Sequence, residues 1–432
     1  MIINKYKITA ILLLCFLGGC KEIEEKIYLE NSFVSASSVE EVKEQFNRLP
    51  NDDIWWTKNG SDMAWNFKNL HRIFPTVNVY RNGPVRELKL KPSQEISSYP
   101  VNTASGKMSF SDYLKSSEST AMGVVISHRG EIIFESYPRM EEYEKPIYWS
   151  VAKILPATLI RIYEERGLIN VNLPIETYIK QLSGTSLMGI SVRNILDMAT
   201  GLECSDDYYS KDSCYYLYSM SIGDGFRTSV AADNPYDFVK NTIIKREIEA
   251  GTQYSYSGLN TFILSWLVEE LTGMPFQDAL TKEIWFHIGA EADASFLAPR
   301  NGIAITHGGF MAKMRDMIRF GLLFTPSYNV VSDKKIISDS HIDLILNKGN
   351  PKLLQNLNIA GFEQSGVKHN IYQWDYVYDN NDFFKGGWAG QGLLINPTRD
   401  LVAVFTGYKR NEDHHAMEMR SIIREVLDGV FD

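Results

Sequence analysis

Four short apolar runs, split between two distant parts of the chain, constrain the fold more than any other feature of this sequence. Met122–Ser127 and Glu131–Tyr137 flank a turn at His128, Arg129 and Gly130, and read as a two-stranded hairpin. A second pair, Gly392–Asn396 and Leu401–Thr406, flanks Pro397–Asp400. The stretch between them shows helical spacing and long loops rather than alternation. Strands at both ends of a core with helices in the middle predict an α+β protein: an antiparallel sheet built from remote segments, interrupted by a mainly helical insertion. No internal repeat competes with this reading.

The helices have recognisable ends. Val151, Ile154, Leu155, Thr158, Leu159 and Ile162 recur at helical spacing after Ser150, and Gly167 supplies a stop after Arg166. Asn260–Leu271, Met311–Phe324 and a last amphipathic segment, His415–Leu427, are expected to be helical as well. Residues 50–105 hold five prolines among several aromatics, including Trp55, Trp56 and Trp65, and predict an irregular but ordered extension. The expected organisation is a leader over 1–19, a tether over 20–49, a discontinuous catalytic domain over 50–165 and 301–432, and a mainly helical domain over 166–300.

The leader is read from its composition. Lys5 and Lys7 precede an apolar run, Ile8–Phe16, too short for a permanent span, for which about 20 residues are needed. It ends in Leu17-Gly18-Gly19-Cys20, which resembles the lipobox of bacterial lipoproteins. The expectation is cleavage before Cys20 and a lipid anchor on its thiol, facing the periplasm. Lys21 at the next position resembles outer-membrane sorting. In an oxidising compartment Cys204 and Cys214 form an obvious pair across a polar, turn-rich loop, with two free thiols as the alternative. A net charge of −9 with no basic block argues against nucleic acid as a partner.

Common catalytic signatures are absent: no G-x-S-x-G elbow, no H-E-x-x-H, no phosphate-binding loop and no dinucleotide fingerprint. Ser-x-x-Lys remains, and it occurs three times, at Ser150–Lys153, Ser332–Lys335 and Ser365–Lys368. Context separates them. Ser332 lies in a polar run and Ser365 in a loop-like, glycine-flanked segment, whereas Ser150 opens a strongly apolar helix. A lysine packed among Val151, Ile154 and Ala157 is desolvated, which lowers its pKa and lets it accept the serine proton. A helix-capping serine followed by an ordinary lysine is the bland alternative. Tyr256, in Tyr254-Ser255-Tyr256-Ser257-Gly258 ahead of a helix, is a candidate proton shuttle. Lys385-Gly386-Gly387-Trp388 leads into a strand with the glycine density that lets a substrate approach the backbone.

Ser-x-x-Lys on a helix, then Tyr-Ser-x, then Lys-x-Gly on a strand, in that order, resembles the serine β-lactamase and penicillin-binding-protein superfamily. Within it, Trp149–Lys153, Asn194–Leu202, Gly308-Gly309-Phe310, Arg315-Asp316 and Gly390-Gln391-Gly392 resemble the branch of 6-aminohexanoate-oligomer ("nylon-oligomer") hydrolases and related esterases. The resemblance implies a β-lactamase/transpeptidase-like fold and an acyl-enzyme serine hydrolase without metal or organic cofactor. It implies Ser150 as nucleophile, Lys153 as base and Tyr256 as proton relay, with the backbone N–H groups of Ser150 and Trp388 as the oxyanion hole. Tyr208 matches a substrate-pocket tyrosine of that branch, and Lys385 and Gly387 fall at the substrate-binding strand, where Lys385 is expected to meet a substrate carboxylate. Gly258 departs from the Asn usual in β-lactamases and DD-peptidases, which puts β-lactam or peptidoglycan chemistry in doubt and favours ester or simple amide cleavage, the expected partner being a small ester, amide or peptide substrate. A low-efficiency DD-peptidase or β-lactamase, and an inactive cell-wall-binding lipoprotein, are the alternatives. The resemblance leaves the oligomeric state open.

Overall fold

The N-terminal part of the chain contributes strand β1 (Thr76–Val79), a small hairpin of β2 (Pro100–Thr103) and β3 (Gly106–Ser109), and the expected hairpin of β4 (Ala121–His128) and β5 (Glu131–Ser136). Two short strands follow much later, β6 (Ala294–Leu297) and β7 (Phe310–Met311). The C-terminal part supplies β8 (Val367–Ile371), β9 (Trp374–Tyr378), β10 (Phe383–Gly387), β11 (Gln391–Asn396) and β12 (Leu401–Gly407). The structure, a computed structural model, describes residues 61–355, 366–410 and 419–431. The expected leader, the tether and the Cys20 anchor lie outside the described residues. Among the described residues no helix is long and apolar enough to cross a membrane.

Seven strands form one sheet in the order β5-β4-β12-β11-β10-β9-β8. Its pairings are antiparallel, and β12 pairs β4, so the two sequence-distant hairpins are joined edge to edge as the sequence predicts. Alternation explains why β11 and β12 read as continuous apolar runs. Val125, Leu393, Ile395, Val402 and Val404 face one core, while Val124, Ile126, Leu394, Ala403 and Phe405 face another. A sheet covered on both faces has no polar side to display. The helix Met419–Phe431 contributes to the second core through Ile422, Ile423, Val426 and Leu427, and the helix Met314–Leu322 packs on the first.

Two strands were not legible as such, and a third was placed by the family resemblance through Lys385 and Gly387. β8, β9 and β10 extend the sheet through a stretch that the sequence presents as a longer loop region ending in glycines. In β9 and β10 the apolar pattern is broken by Asp375 and Lys385, which satisfy each other, with the second Asp375 oxygen on the Gly386 N–H. The N-terminal extension is also more regular than expected, with a helix at Ser61–Ile73 and β1 paired to β6. Residues 50–60 lie outside the described set.

Candidate active site

The expected helix from Ser150 to Arg166 is two elements. Trp149–Lys153 is a 3-10 turn, and the α-helix proper runs Ile154–Glu165. The difference matters for chemistry. In a 3-10 turn residues i and i+3 eclipse one another, so Ser150 and Lys153 point the same way. Lys153 Nζ lies 3.1 Å from Ser150 Oγ and donates to the His307 carbonyl at 2.8 Å. Trp149, just before the serine, has φ +45°, which is strained for a bulky residue. Strain of this kind costs roughly 1–3 kcal/mol and persists where surrounding structure enforces it. Here Trp149 is buried against Phe67, with ring centroids 5.4 Å apart, and edge-on to Trp388 at 6.3 Å. The N-terminal extension therefore supplies part of the wall beside the serine.

Of the other two Ser-x-x-Lys occurrences, Ser332–Lys335 lacks this geometry. Lys335 pairs with Asp339 at 2.5 Å, and Ser332 accepts the Lys334 N–H. Ser365 is outside the described residues.

Tyr256 reaches the same place from a different direction. Its segment is held by backbone bonds, Ser255 N–H to the Met198 carbonyl at 2.5 Å and Gly251 N–H to the Ala199 carbonyl at 2.7 Å. Ser257 caps the helix Gly258–Thr272 by accepting the Leu259 N–H, and its hydroxyl donates to the Cys204 carbonyl at 2.5 Å. The Asp197–Gly201 stretch, singled out earlier only as a resemblance, thus acts as the backing of the tyrosine loop. The Ser150 side chain neighbours the Tyr256 hydroxyl. Two ammonium groups lie over the Tyr256 ring, Lys153 at 4.9 Å and Lys385 at 4.8 Å from its centroid.

Electrostatics assign different capacities to these groups. Complete burial lowers the Lys153 pKa from its usual 10.5 to about 8, against the opposing pull of Asp206. A substantial fraction of Lys153 is therefore neutral near pH 8 and able to take a proton. Tyr256 is displaced the other way: burial, then the nearby Asp375 and Asp206 carboxylates, push its pKa well above 10. It is a neutral phenol, suited to passing a proton along rather than to acting as a standing base.

Ser150, Tyr208, Asp224, His307, Gly308, Trp149 and Trp388 line one narrow cavity. The structure thus brings the expected nucleophile, the expected pocket tyrosine and the expected oxyanion-hole tryptophan to one opening. Trp388 is followed by Ala389 at φ +62°, a second strained position beside the cavity. Gly387 has a steric reason to be glycine, because a Cβ there would fall 2.3 Å from the Tyr148 carbonyl oxygen. Cys204 and Cys214 are joined as a disulfide. The loop it closes carries Tyr208, whose hydroxyl bonds that of Tyr215 at 2.9 Å. A larger cleft of about 520 Å³ lies elsewhere, bounded by Tyr236, Trp266, Glu269 and Glu270, but its walls hold no Ser, Cys, His or Lys.

Lys385 differs from its expected disposition. It is fully buried, and its ammonium is 2.5 Å from Asp375 Oδ1. Four acidic or basic residues around the site were not identified from sequence. They are Asp206, 3.8 Å from Lys153 Nζ; Asp224 and His307, in contact at 3.2 Å; and Asp375. Burial holds the Asp224 carboxyl well above the usual carboxylate range and the His307 imidazole well below its own. Only Asp206 carried a local signal, as a carboxylate inside the Cys204–Cys214 loop beside Tyr208.

An eclipsed serine and buried, depressed lysine, a tyrosine beside that serine, and a strand edge beside them define a serine hydrolase with a β-lactamase-like fold. The Beta-lactamase family model matches residues 109–427, and the chain belongs to that family. It is 24% identical over 360 residues to the 6-aminohexanoate-dimer hydrolase of Paenarthrobacter ureafaciens, covering 82% of this chain and 87% of that one. Among solved structures, a Bacillus anthracis protein described as a 6-aminohexanoate-dimer hydrolase superposes with a TM-score of 0.75 at 20% identity, over 89% of this chain and 96% of the other. EstCE1, described as a hydrolase with promiscuous acyltransferase activity, gives 0.54 at 13% identity, over 74% and 96%. These two likenesses show the fold.

Proposed function

We propose that the protein hydrolyses small esters and simple amides through an acyl-enzyme on Ser150. The observation that carries this reading is a fully buried lysine with its pKa lowered to about 8, 3.1 Å from a serine hydroxyl. With one hydrogen of Lys153 directed at the His307 carbonyl, the neutral amine can turn its lone pair to Ser150 and receive its proton. Ser150 Oγ attacks the substrate carbonyl, and the backbone N–H groups of Ser150 and Trp388 stabilise the oxyanion. Tyr256, beside Ser150, passes the proton from Lys153 to the leaving group. Water then attacks the acyl-enzyme, giving its proton back through the same pair, and releases the acid. The similarity to a 6-aminohexanoate-dimer hydrolase supports amide as well as ester substrates. The Leu17–Cys20 pattern supports a lipoprotein tethered on the periplasmic side of a bacterial membrane.

The test is hydrolysis of p-nitrophenyl butyrate by the purified protein and by Ser150→Ala. Loss of at least roughly 10³-fold in kcat is expected, with a fluorophosphonate probe labelling Ser150 in the parent only. Equal rates in the two proteins would overturn the assignment.

A further inference from the structure

The chain places a lysine beside the leaving-group side of the site and then occupies it. Lys385 lies on β10 with its Nζ 4.8 Å from the centre of the Tyr256 ring, and Tyr256 neighbours Ser150. A free ammonium there would attract a carboxylate on a departing group. It is not free. Asp375, on the neighbouring strand β9, puts Oδ1 2.5 Å from Lys385 Nζ and accepts the Gly386 N–H on Oδ2 at 2.9 Å. β9 and β10 pair through Phe384 and Tyr376, so Lys385 and Asp375 stand one step further along the same register. The Asp375 carboxylate is thereby fixed at both oxygens, and the lysine side chain has no exposed surface.

An incoming carboxylate has two options. It can displace Asp375, which leaves a largely buried carboxylate with one partner lost, or it can approach a pair that is already neutral. A buried ion pair broken by loss of one partner is strongly penalised, and a neutral pair offers a weak field to a new anion. Asp206 lies beside Lys153 and matches the other nearby ammonium in the same way.

We propose that Asp375 sets the charge preference of the site: by holding Lys385 it selects substrates whose leaving group is uncharged and disfavours those whose leaving group bears a carboxylate. This rests on the acyl-enzyme reading, because the leaving-group side is defined by Tyr256. It replaces the expectation that Lys385 itself recognises a substrate carboxylate.

The test compares butyryl esters of 3- and 4-hydroxybenzoate with the same esters of methyl 3- and 4-hydroxybenzoate, using the full chain. Wild type is expected to favour the methyl-ester series by about tenfold or more in kcat/KM. Asp375→Asn, which frees the ammonium, is expected to shift that ratio toward the carboxylates by about tenfold. Asp375→Ser provides a smaller replacement should the first variant not fold. A parallel measurement needs no turnover: affinity of 4-hydroxybenzoate and methyl 4-hydroxybenzoate for Ser150→Ala, with and without Asp375→Asn, followed by tryptophan fluorescence. Its ratio should move in the same direction. Failure of wild type to hydrolyse any of the esters counts against the hydrolase reading, while the affinity ratio still judges Asp375. Equal wild-type preference for the two series, or an unchanged ratio in the folded Asp375 variants, overturns the proposal.

Discussion

Asp206 lies 3.8 Å from Lys153 Nζ through one carboxylate oxygen while the other accepts the Gly258 N–H at 2.6 Å. The disulfide-closed loop and the tyrosine loop are thus linked at the residue that biases the protonation of the general base. Burial lowers the Lys153 pKa and Asp206 partly restores it. The balance of the two sets the pH at which the site becomes active.

That balance gives a pH profile with a defined sign. A base must be unprotonated, so kcat/KM is expected to rise with pH through a midpoint near 8, the value to which Lys153 is lowered. Removing the Asp206 charge removes a term that favours the ammonium. Asp206→Asn should move the acid limb to lower pH whatever it does to the plateau. Rates with p-nitrophenyl butyrate between pH 5 and pH 10 read this directly, and an upward or absent shift would contradict the role.

The disulfide is expected to matter twice. Cross-linking positions ten apart in sequence stabilises by about 3 kcal/mol on the chain-entropy model. The closed loop also carries Asp206 and Tyr208. The Cys204→Ser/Cys214→Ser protein should lose stability of that order in urea and lose activity even below its unfolding transition. Full activity in the folded, uncross-linked protein would limit the bond to a global stabilising role.

Gly258 occupies the position where the resemblance expects Asn, and space forbids the exchange. A Cβ there would meet the Tyr215 hydroxyl at 2.7 Å and His307 Cδ2 at 2.9 Å, both buried groups. Gly258→Asn should therefore cost about 1–3 kcal/mol by overpacking and lower esterase activity, without creating turnover of the cephalosporin nitrocefin. Thermal melts and nitrocefin assays on the same preparation check both halves.

Gly387 separates backbone geometry from side-chain chemistry. With a Cβ 2.3 Å from the Tyr148 carbonyl, Gly387→Ala must push β10 away from the 3-10 turn that bears Ser150. The Trp388 N–H moves with it. A loss of about 10²-fold in kcat is expected, the scale of removing one oxyanion donor, with a smaller change in KM. Intact fluorophosphonate labelling at an unchanged rate would show that the donor had not moved.

Much of the architecture was legible because it rests on strong local signals. The two apolar hairpins, the helix after Ser150 with its Gly167 stop, and the helix ended by Gly273 all correspond to elements of the structure, with boundaries shifted by a few residues. The choice of Ser150 among three Ser-x-x-Lys occurrences followed from hydrophobicity alone, since only that lysine had apolar neighbours to desolvate it. Strands β8 and β9 escaped as periodic strands, and in β9 the interior Asp375, paired with Lys385 of β10, breaks the alternation that marks a strand. The 3-10 start of the Ser150 helix escaped for another reason: its geometry is imposed by Trp149, which is strained and held by Phe67 from a remote segment.

The family resemblance implied Ser150, Lys153 and Tyr256 as nucleophile, base and relay; the sequence by itself determined the α+β class and the order of the chemical segments. These depend on periodicity and residue type, which are local. Only the tertiary structure decided what state those residues are in. It buried Lys153 and put Asp206 beside it, brought Asp224 and His307 into buried contact, and turned Lys385 from a free cation into the partner of Asp375. The physical reason is that desolvation and Coulomb interactions depend on distances of a few ångströms between groups separated by tens to hundreds of residues in the chain. Residue type names the charge, and the fold determines whether that charge is available.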